Sequence, residues 1–496
     1  MKRSIIFTAA LTAALFLAVP AFAQSGAGFP RIEPQAAAVD FFQRGLDGGF
    51  SWTDLAEISV WASGGNAAAV QRILDVQGAI AASPDLPQGR RELADFILLY
   101  LHSNVFRAYS LDQSRVDTVF ANGRFNCVSS AVLYIILAQA FGIEAYGVVT
   151  KDHAFVMVRI DGEYIDVETT SAFGFDPGGR REFHDDFGRI TGFVYVPAGN
   201  YHDRQTISAI ELVSVIMTNH IANLEAASRF AEAVPIAVDR SALLTGVGAQ
   251  AVSPFRHVSG GSFFDDPRRD KMNRLFNLGA FLLNSRREEE ALRWAAFASP
   301  RYPCPEGRWQ ELVLASVNNR VMRFVAANQI GQARTFLNSH EADLTAASFA
   351  HLDVMLLDNE LVSRANGIRT AGDGGAVISD IELALGTGRI AAGRGGEILN
   401  FAIQRTASVI GGAGGWLTAI NFIEDAQARF GSNADLDRAL QTFRQNRVTD
   451  FHNRFATEWN RGNLDEARRI LDEGLAEFPA NSQLQSNREA VERALR

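Results

Sequence analysis

Residues 125–142 read FNCVSSAVLYIILAQAFG, and residues 152–170 read DHAFVMVRIDGEYIDVETT. These two segments contain a thiol, an imidazole and carboxylates on patterns that predict defined secondary structure. The first segment predicts a helix from Val128 to Ala140, because it is apolar on nearly every side and Gly142 follows at a C-cap position. A helix of this kind is buried in the middle of its domain.

Cys127 lies at the predicted N-terminus of this helix, directly after Asn126. Unpaired N–H groups and the helix dipole favour an anion at that end, and the thiolate is the nucleophilic form of cysteine. A free cysteine is also commonly a small buried apolar residue. Cys127 considered alone therefore leaves both interpretations open.

Branched and aromatic residues predict three short strands, and an Asp-Gly pair between two of them predicts a two-residue hairpin turn. The strands are predicted at Ala145–Thr150, Ala154–Ile160 and Glu163–Val167, with the turn at Asp161-Gly162. His153 precedes the second strand, where its ring can project from the end of the sheet. Its place between a helix-borne cysteine and a hairpin with carboxylates favours a Cys–His pair, which needs a third group to orient the imidazole.

Two carboxylates compete for that orienting role, and the predicted turn ranks them. With a two-residue turn, His153 lies opposite Thr170 in the hairpin. Glu168 is then its diagonal neighbour, about 7–8 Å away between backbones. Asp166 is four residues from the opposite position, roughly 13 Å along the strand at ~3.3 Å per residue. The two-residue turn favours Glu168, whereas a slipped or bulged hairpin would favour Asp166.

The order of these residues resembles the transglutaminase-like superfamily of papain-like thiol enzymes. The similarity covers about residues 110–180 and rests on Asn-Cys at a helix start, His-Ala-aromatic at a strand start, Asp-Gly, and aromatic-x-Asp-x-acid-x-Thr. The resemblance implies that Cys127 is the nucleophile, that His153 is the general base, and that Glu168 stands where the family usually has Asp. Either Glu168 orients the His153 imidazole, or Asp166 takes over that role, or the site is weakened. Phe155 replaces the usual Trp and keeps an aromatic wall.

Such a site implies acyl transfer. The Cys127 thiolate would attack a peptide or carboxamide carbonyl while His153 takes and returns the proton, and the Cys127 N–H is an expected oxyanion donor. The acyl group then passes to water or to an amine; the residues do not select between them, and the family resemblance in bacteria favours hydrolysis. We expect no cofactor or metal, because Cys127, Cys304 and the scattered histidines lack metal-site spacing and the glycine clusters lack nucleotide-binding contexts.

The chain of 496 residues is too long for one core, so two or three domains are expected.

Residues 1–23 read as a signal peptide, with Lys2 and Arg3 before an apolar run and an Ala-Phe-Ala cleavage site. The protein is therefore predicted to be exported, to a periplasmic or extracellular location. Residues 24–34 read as a disordered lead-in. Residues 24–109 are predicted to be a helical segment that packs on the core domain, with its last helix at 90–109.

The expected fold class is an α+β transglutaminase-like (papain-like) domain at 110–200, followed by an all-α tetratricopeptide-like helical repeat region at 205–496. Two windows carry small and large residues at the positions of stacked helix pairs. They are Leu275, Leu278, Gly279, Leu282, Ala291, Ala298 and Pro303 in the first, and Gly462, Ala467, Leu471, Gly474 and Pro479 in the second. An irregular helical bundle is the alternative.

The formal net charge of -9 and the lack of a long basic stripe argue against nucleic acid as a partner. After the signal, no run reaches the roughly 18 apolar residues needed to span a bilayer. We expect a protein or peptide substrate and a protein partner on the repeats. Two functions remain: a thiol hydrolase or acyltransferase with a Cys-His-acid triad, or a catalytically weak or inactive domain that serves as a periplasmic protein-binding scaffold.

Overall fold

The computed structural model describes residues 28–151, 153–179, 183, 188–191, 204–247 and 266–496. The predicted signal peptide at 1–23 lies outside these residues. The described chain is mostly helical with a small sheet. It divides into two compact units, Met1–Ser285 with Ala296–Pro303, and Arg286–Ala295 with Cys304–Arg496.

The first unit holds all the described strands. Its helices are α1 (Ala36–Gly48), α2 (Trp52–Ala62), α3 (Ala67–Ala81), α4 (Arg90–Asn104), α5 (Val116–Asn122), α6 (Cys127–Ala140), α7 (Ala209–Ala226), α8 (Phe230–Thr245) and α9 (Pro267–Asn284). Its strands are β1 (Ala108–Tyr109), β2 (Arg124–Phe125), β3 (Glu144–Val149), β4 (Ala154–Ile160), β5 (Glu163–Val167) and β6 (Gln205–Ile207).

Helix α6 is the centre of this unit. Every residue from Cys127 to Ala138 is buried, which is the environment that a helix apolar on all sides requires. It packs against β3 and β4, and against α2, α4 and α7. Its one tyrosine, Tyr134, donates its hydroxyl to the Ala94 carbonyl at 3.0 Å, so the buried polar atom is satisfied. The predicted central position of this helix is confirmed.

The main sheet has four antiparallel strands in the order β5-β4-β3-β6. Asp161 and Gly162 both have positive φ, 53° and 89°, as a type I′ hairpin turn requires. Ile160 faces Glu163, and the ladder continues to the pair Val156 and Val167. The predicted turn and register are confirmed, and β3 lies within one residue of its prediction.

Two segments differ from their predicted secondary structure. The helix predicted through residue 109 ends at Asn104, because Val105 and Phe106 turn into the core and the Phe106 N–H bonds the Leu101 carbonyl. The chain then forms β1, which pairs in parallel with β2. Residues 205–207 form the edge strand β6 where a helix was predicted, since they pair with the exposed edge of β3 before α7 begins.

Residues 28–34 are not the disordered lead-in that their composition predicted. Arg31 donates two hydrogen bonds, of 3.0 and 2.7 Å, to the buried Asp239 carboxylate on α8, and the Gln35 N–H donates a third of 2.8 Å. The Tyr302 hydroxyl donates to the Ile32 carbonyl at 2.6 Å. A buried carboxylate needs such donors, so we call residues 28–35 the N-terminal arm.

The chain continues with α10 (Glu288–Ala298), α11 (Arg308–Ala326), α12 (Ile330–Ser339), α13 (Ala346–Asn366), α14 (Ala371–Gly386), α15 (Ala392–Gly412), α16 (Trp416–Phe430), α17 (Ala434–Asn460), α18 (Leu464–Glu477) and α19 (Ser482–Leu495). From α11 onward each helix packs on the next, and α11, α13, α15 and α17 contact one another in turn. This contact pattern is compatible with stacked helical hairpins. Within the described residues, no helix is both long and apolar enough to cross a membrane.

We expect Gly162→Val to lower the free energy of unfolding by about 1–2 kcal/mol, because a residue with a Cβ is strained at positive φ. Denaturant unfolding would measure the change. Gly178→Ala is the control, since Gly178 has no atom within 4 Å of an added methyl group and no positive φ, and its effect should stay within about 0.5 kcal/mol. Equal stability of Gly162→Val and wild type would contradict the turn geometry.

Candidate active site

Asn126 fixes the start of α6. Its Oδ1 accepts hydrogen bonds from the N–H groups of Val128 and Ser129 at 3.0 and 3.1 Å, and its own N–H donates to Ser129 Oγ at 2.9 Å. Its amide nitrogen donates to the Leu111 carbonyl and to Ser114 Oγ. These bonds form a capping box, so the residue after Asn126 has a fixed place at the helix terminus.

Cys127 is that residue, the first of α6. Its exposed fraction is 9%, and its side chain faces the site described below. Its backbone N–H makes no hydrogen bond with any residue in the described part of the chain. Because the Asn126 side chain caps the next two N–H groups, the N–H of Cys127 remains as a donor beside the sulfur at the positive end of the helix.

His153 contacts Glu168 at the end of the hairpin. The ring Nε2–H donates to Glu168 Oε2 at 2.6 Å. The second carboxylate oxygen, Oε1, accepts from the Thr170 N–H at 3.2 Å and from the Thr170 hydroxyl at 2.7 Å. Glu168 is only 2% exposed. A buried carboxylate with these partners holds the imidazole ring in one orientation.

Asp166 has a different partner. Its two oxygens accept from the guanidinium of Arg204 at 2.9 and 2.7 Å, and Arg204 lies over the ring of Phe155. Asp166 is paired with Met157 inside the ladder. Of the two carboxylates that the sequence offered, Glu168 is therefore the one that the structure brings to His153.

Glu168 reaches His153 because of the path that the chain takes after β5. The ladder with β4 ends at Val167, which then bridges to Phe175, and the Glu168 N–H donates to the Gly174 carbonyl at 2.8 Å. The loop 168–174 thus folds back on itself. It is also tied to α4 and α6, because His102 Nε2–H donates to the Thr169 carbonyl at 3.0 Å and the hydroxyls of Thr169 and Ser130 share a hydrogen bond of 2.9 Å.

The His153 ring also lies within hydrogen-bonding reach of Cys127. Burial acts to lower the pKa of His153, but the charge of Glu168 and the hydrogen bonds to Cys127 and Glu168 outweigh burial and hold that pKa well above its usual value. The Glu168 carboxylate therefore favours the charged form of the His153 ring.

Tyr109 is a member of the site that sequence reasoning missed. Its hydroxyl hydrogen-bonds Cys127, and its ring meets the ring of Phe125 edge-on, with centroids 6.0 Å apart. The sequence assigned Tyr109 to the end of a helix, and a two-residue strand has too few residues for an alternating pattern to be recognised. No sequence signal would have identified it. Arg204, the partner of Asp166, was also missed.

A groove of about 610 Å³ lies in the second unit. Its lining includes Leu417, Ile420, Arg444 and Phe478, and Arg444 pairs with Glu424 in the same groove. Its lining contains neither a thiol nor an imidazole. The described residues also hold no cluster of three metal-ligating side chains.

Comparison with known proteins found no match for this chain among protein-family models, curated proteins or solved structures.

Glu168→Gln should lower the pKa of His153, because the charge that outweighs burial is removed. Because the folded pKa lies above the unfolded value of about 6.5, His153 stabilises the fold fully below about pH 6.5 and loses that contribution as the pH rises through the folded pKa. In Glu168→Gln this pH dependence of the free energy of unfolding should disappear. NMR titration of labelled histidine measures the pKa directly. Asp166→Asn is the matched control and should leave the pKa of His153 near its wild-type value. An unchanged His153 pKa in Glu168→Gln would contradict the contact between His153 and Glu168.

Gly174→Ala should displace the loop 168–174. A methyl group there would lie 1.8 Å from the Glu168 carbonyl oxygen, and backbone atoms cannot yield as a flexible side chain can. We expect a loss of roughly 1–3 kcal/mol in the free energy of unfolding, with a lower His153 pKa. Denaturant unfolding and the same titration report both changes. Gly178→Ala serves again as the control, and a Gly174→Ala protein with wild-type stability would disprove the close approach.

Proposed function

We propose that the protein is an exported thiol enzyme of the transglutaminase-like class, which hydrolyses peptide or carboxamide bonds or transfers their acyl groups. One observation carries this proposal: the imidazole of His153 bonds the buried Glu168 at 2.6 Å and lies within hydrogen-bonding reach of Cys127. A nucleophile, a base and an orienting acid in this order form the general constellation of thiol acyl transfer.

Each residue has a role in the proposed reaction. The Cys127 thiolate attacks the carbonyl carbon, and the N–H of Cys127 donates to the oxygen as it becomes negative. The His153 imidazolium then gives its proton to the departing amine. In the second half, His153 takes a proton from water or from an acceptor amine, which attacks the thioester and releases the sulfur. Glu168 holds the ring and balances its positive charge.

The replacement of Asp by Glu was the sequence feature that favoured a weakened site. The extra methylene is accommodated, because the chain leaves the ladder after Val167 and the Glu168 carboxylate still reaches His153. This geometry supports the enzyme over the scaffold. We further propose that the helical hairpins of the second unit bind the protein substrate or a protein partner. Their stacked arrangement and open groove support this role.

A thiol-directed electrophile tests the nucleophile. Iodoacetamide near pH 7 should label Cys127 at least ~10-fold faster than Cys304, because an ordinary thiol is mostly protonated there. His153→Ala should slow the labelling of Cys127 and leave the labelling rate of Cys304 unchanged. Cys304 is partly exposed in the same chain and is an internal reference. Mass spectrometry of the labelled peptides gives both rates.

Turnover is tested with a glutaminyl peptide, with and without a primary amine. Release of ammonia or cleavage of the peptide indicates water as acceptor, and a mass increase by the amine indicates transfer. Cys127→Ala should abolish every product. Equal, slow labelling of Cys127 and Cys304 would instead support the alternative, a protein-binding scaffold without chemistry.

A further inference from the structure

Tyr109 stands beside the nucleophile because of a two-residue parallel ladder. In it Tyr109 pairs with Phe125, and the Ser110 N–H donates to the Phe125 carbonyl at 2.8 Å. Strand β2 leads through Asn126 directly into Cys127, so this ladder fixes Tyr109 against the chain two residues before the sulfur. The edge-on contact with the Phe125 ring holds the phenol ring in place.

The Tyr109 hydroxyl lies beside Cys127. Burial, the charges of Cys127 and Glu168, and a hydrogen-bond contact with Cys127 raise the pKa of Tyr109 above its usual value. The protonated, neutral hydroxyl is therefore favoured, and it can donate a hydrogen bond. A neutral O–H beside a sulfur anion is the kind of group that stabilises negative charge in an acyl-transfer site.

We propose that Tyr109 is a catalytic residue whose hydroxyl, together with the N–H of Cys127, binds the oxyanion formed during acylation. This role rests on the proposed function. As the C–S bond forms, the π electron pair of the carbonyl moves onto its oxygen, next to both donors. The pair then returns, the bond to the leaving group breaks, and the leaving group takes a proton from the His153 imidazolium. Tyr109 keeps its own proton throughout.

Two reactions of the same sulfur separate this role from a structural one. Alkylation by iodoacetamide displaces iodide and forms no oxyanion, whereas acylation by p-nitrophenyl acetate forms one. In the full mature chain, Tyr109→Phe should slow acylation of Cys127 roughly 10²-fold, whereas alkylation should change by far less. Release of p-nitrophenolate, corrected with Cys127→Ala, gives the acylation rate.

Tyr146→Phe is the matched control, because its hydroxyl bonds Glu144; both of its rates should equal those of wild type. Equal losses of alkylation and acylation in Tyr109→Phe would show that Tyr109 only positions the thiol and would overturn the proposal. Unchanged acylation would overturn it as well. If wild-type Cys127 were alkylated no faster than Cys304, the proposed function itself would fail, and that result is distinct from either outcome for Tyr109.

Discussion

The burial of one carboxylate is the constraint on which the site depends. An ionised group inside a protein is costly unless donors surround it, and Glu168 has donors at both oxygens, from His153 and from Thr170. The His153 imidazole directs Nε2 at Glu168, which sets the orientation of the ring beside Cys127. The orientation of the His153 ring is thus tied to the burial of Glu168, and loop 168–174 supplies the Thr170 donors to that carboxylate.

The central part of the fold could be predicted because it depends on local physics. The apolar helix α6, strands β4 and β5, and the turn at Asp161-Gly162 follow from residue type over a few neighbouring positions. The register of the hairpin follows from the turn, and it was enough to rank Glu168 above Asp166. The path of loop 168–174 could not be predicted in this way, because it depends on the approach of Gly174 to the Glu168 carbonyl.

Features that depend on long-range contacts were not visible in the sequence. Strand β1 forms because it pairs with β2, and strand β6 forms because it pairs with β3. Both strands are too short to show an alternating pattern of apolar and polar residues in the sequence. The division of the helices between the two units has the same origin. Helical periodicity identifies α7, α8 and α9, but α7 belongs to the first unit through its packing on α6 and β3, and the buried Arg240–Asp270 pair at 3.1 Å joins α8 to α9.

The N-terminal arm extends the first unit beyond its helices. Asp239 is buried on α8, and its donors come from Arg31 and Gln35, more than two hundred positions earlier in the chain. A recombinant fragment trimmed to begin at α1 would remove Arg31 and leave that carboxylate without its counter-charge in a dry environment. A fragment of this unit that keeps Asp239 paired therefore has to include the arm, and an affinity tag or fusion partner should be joined upstream of it.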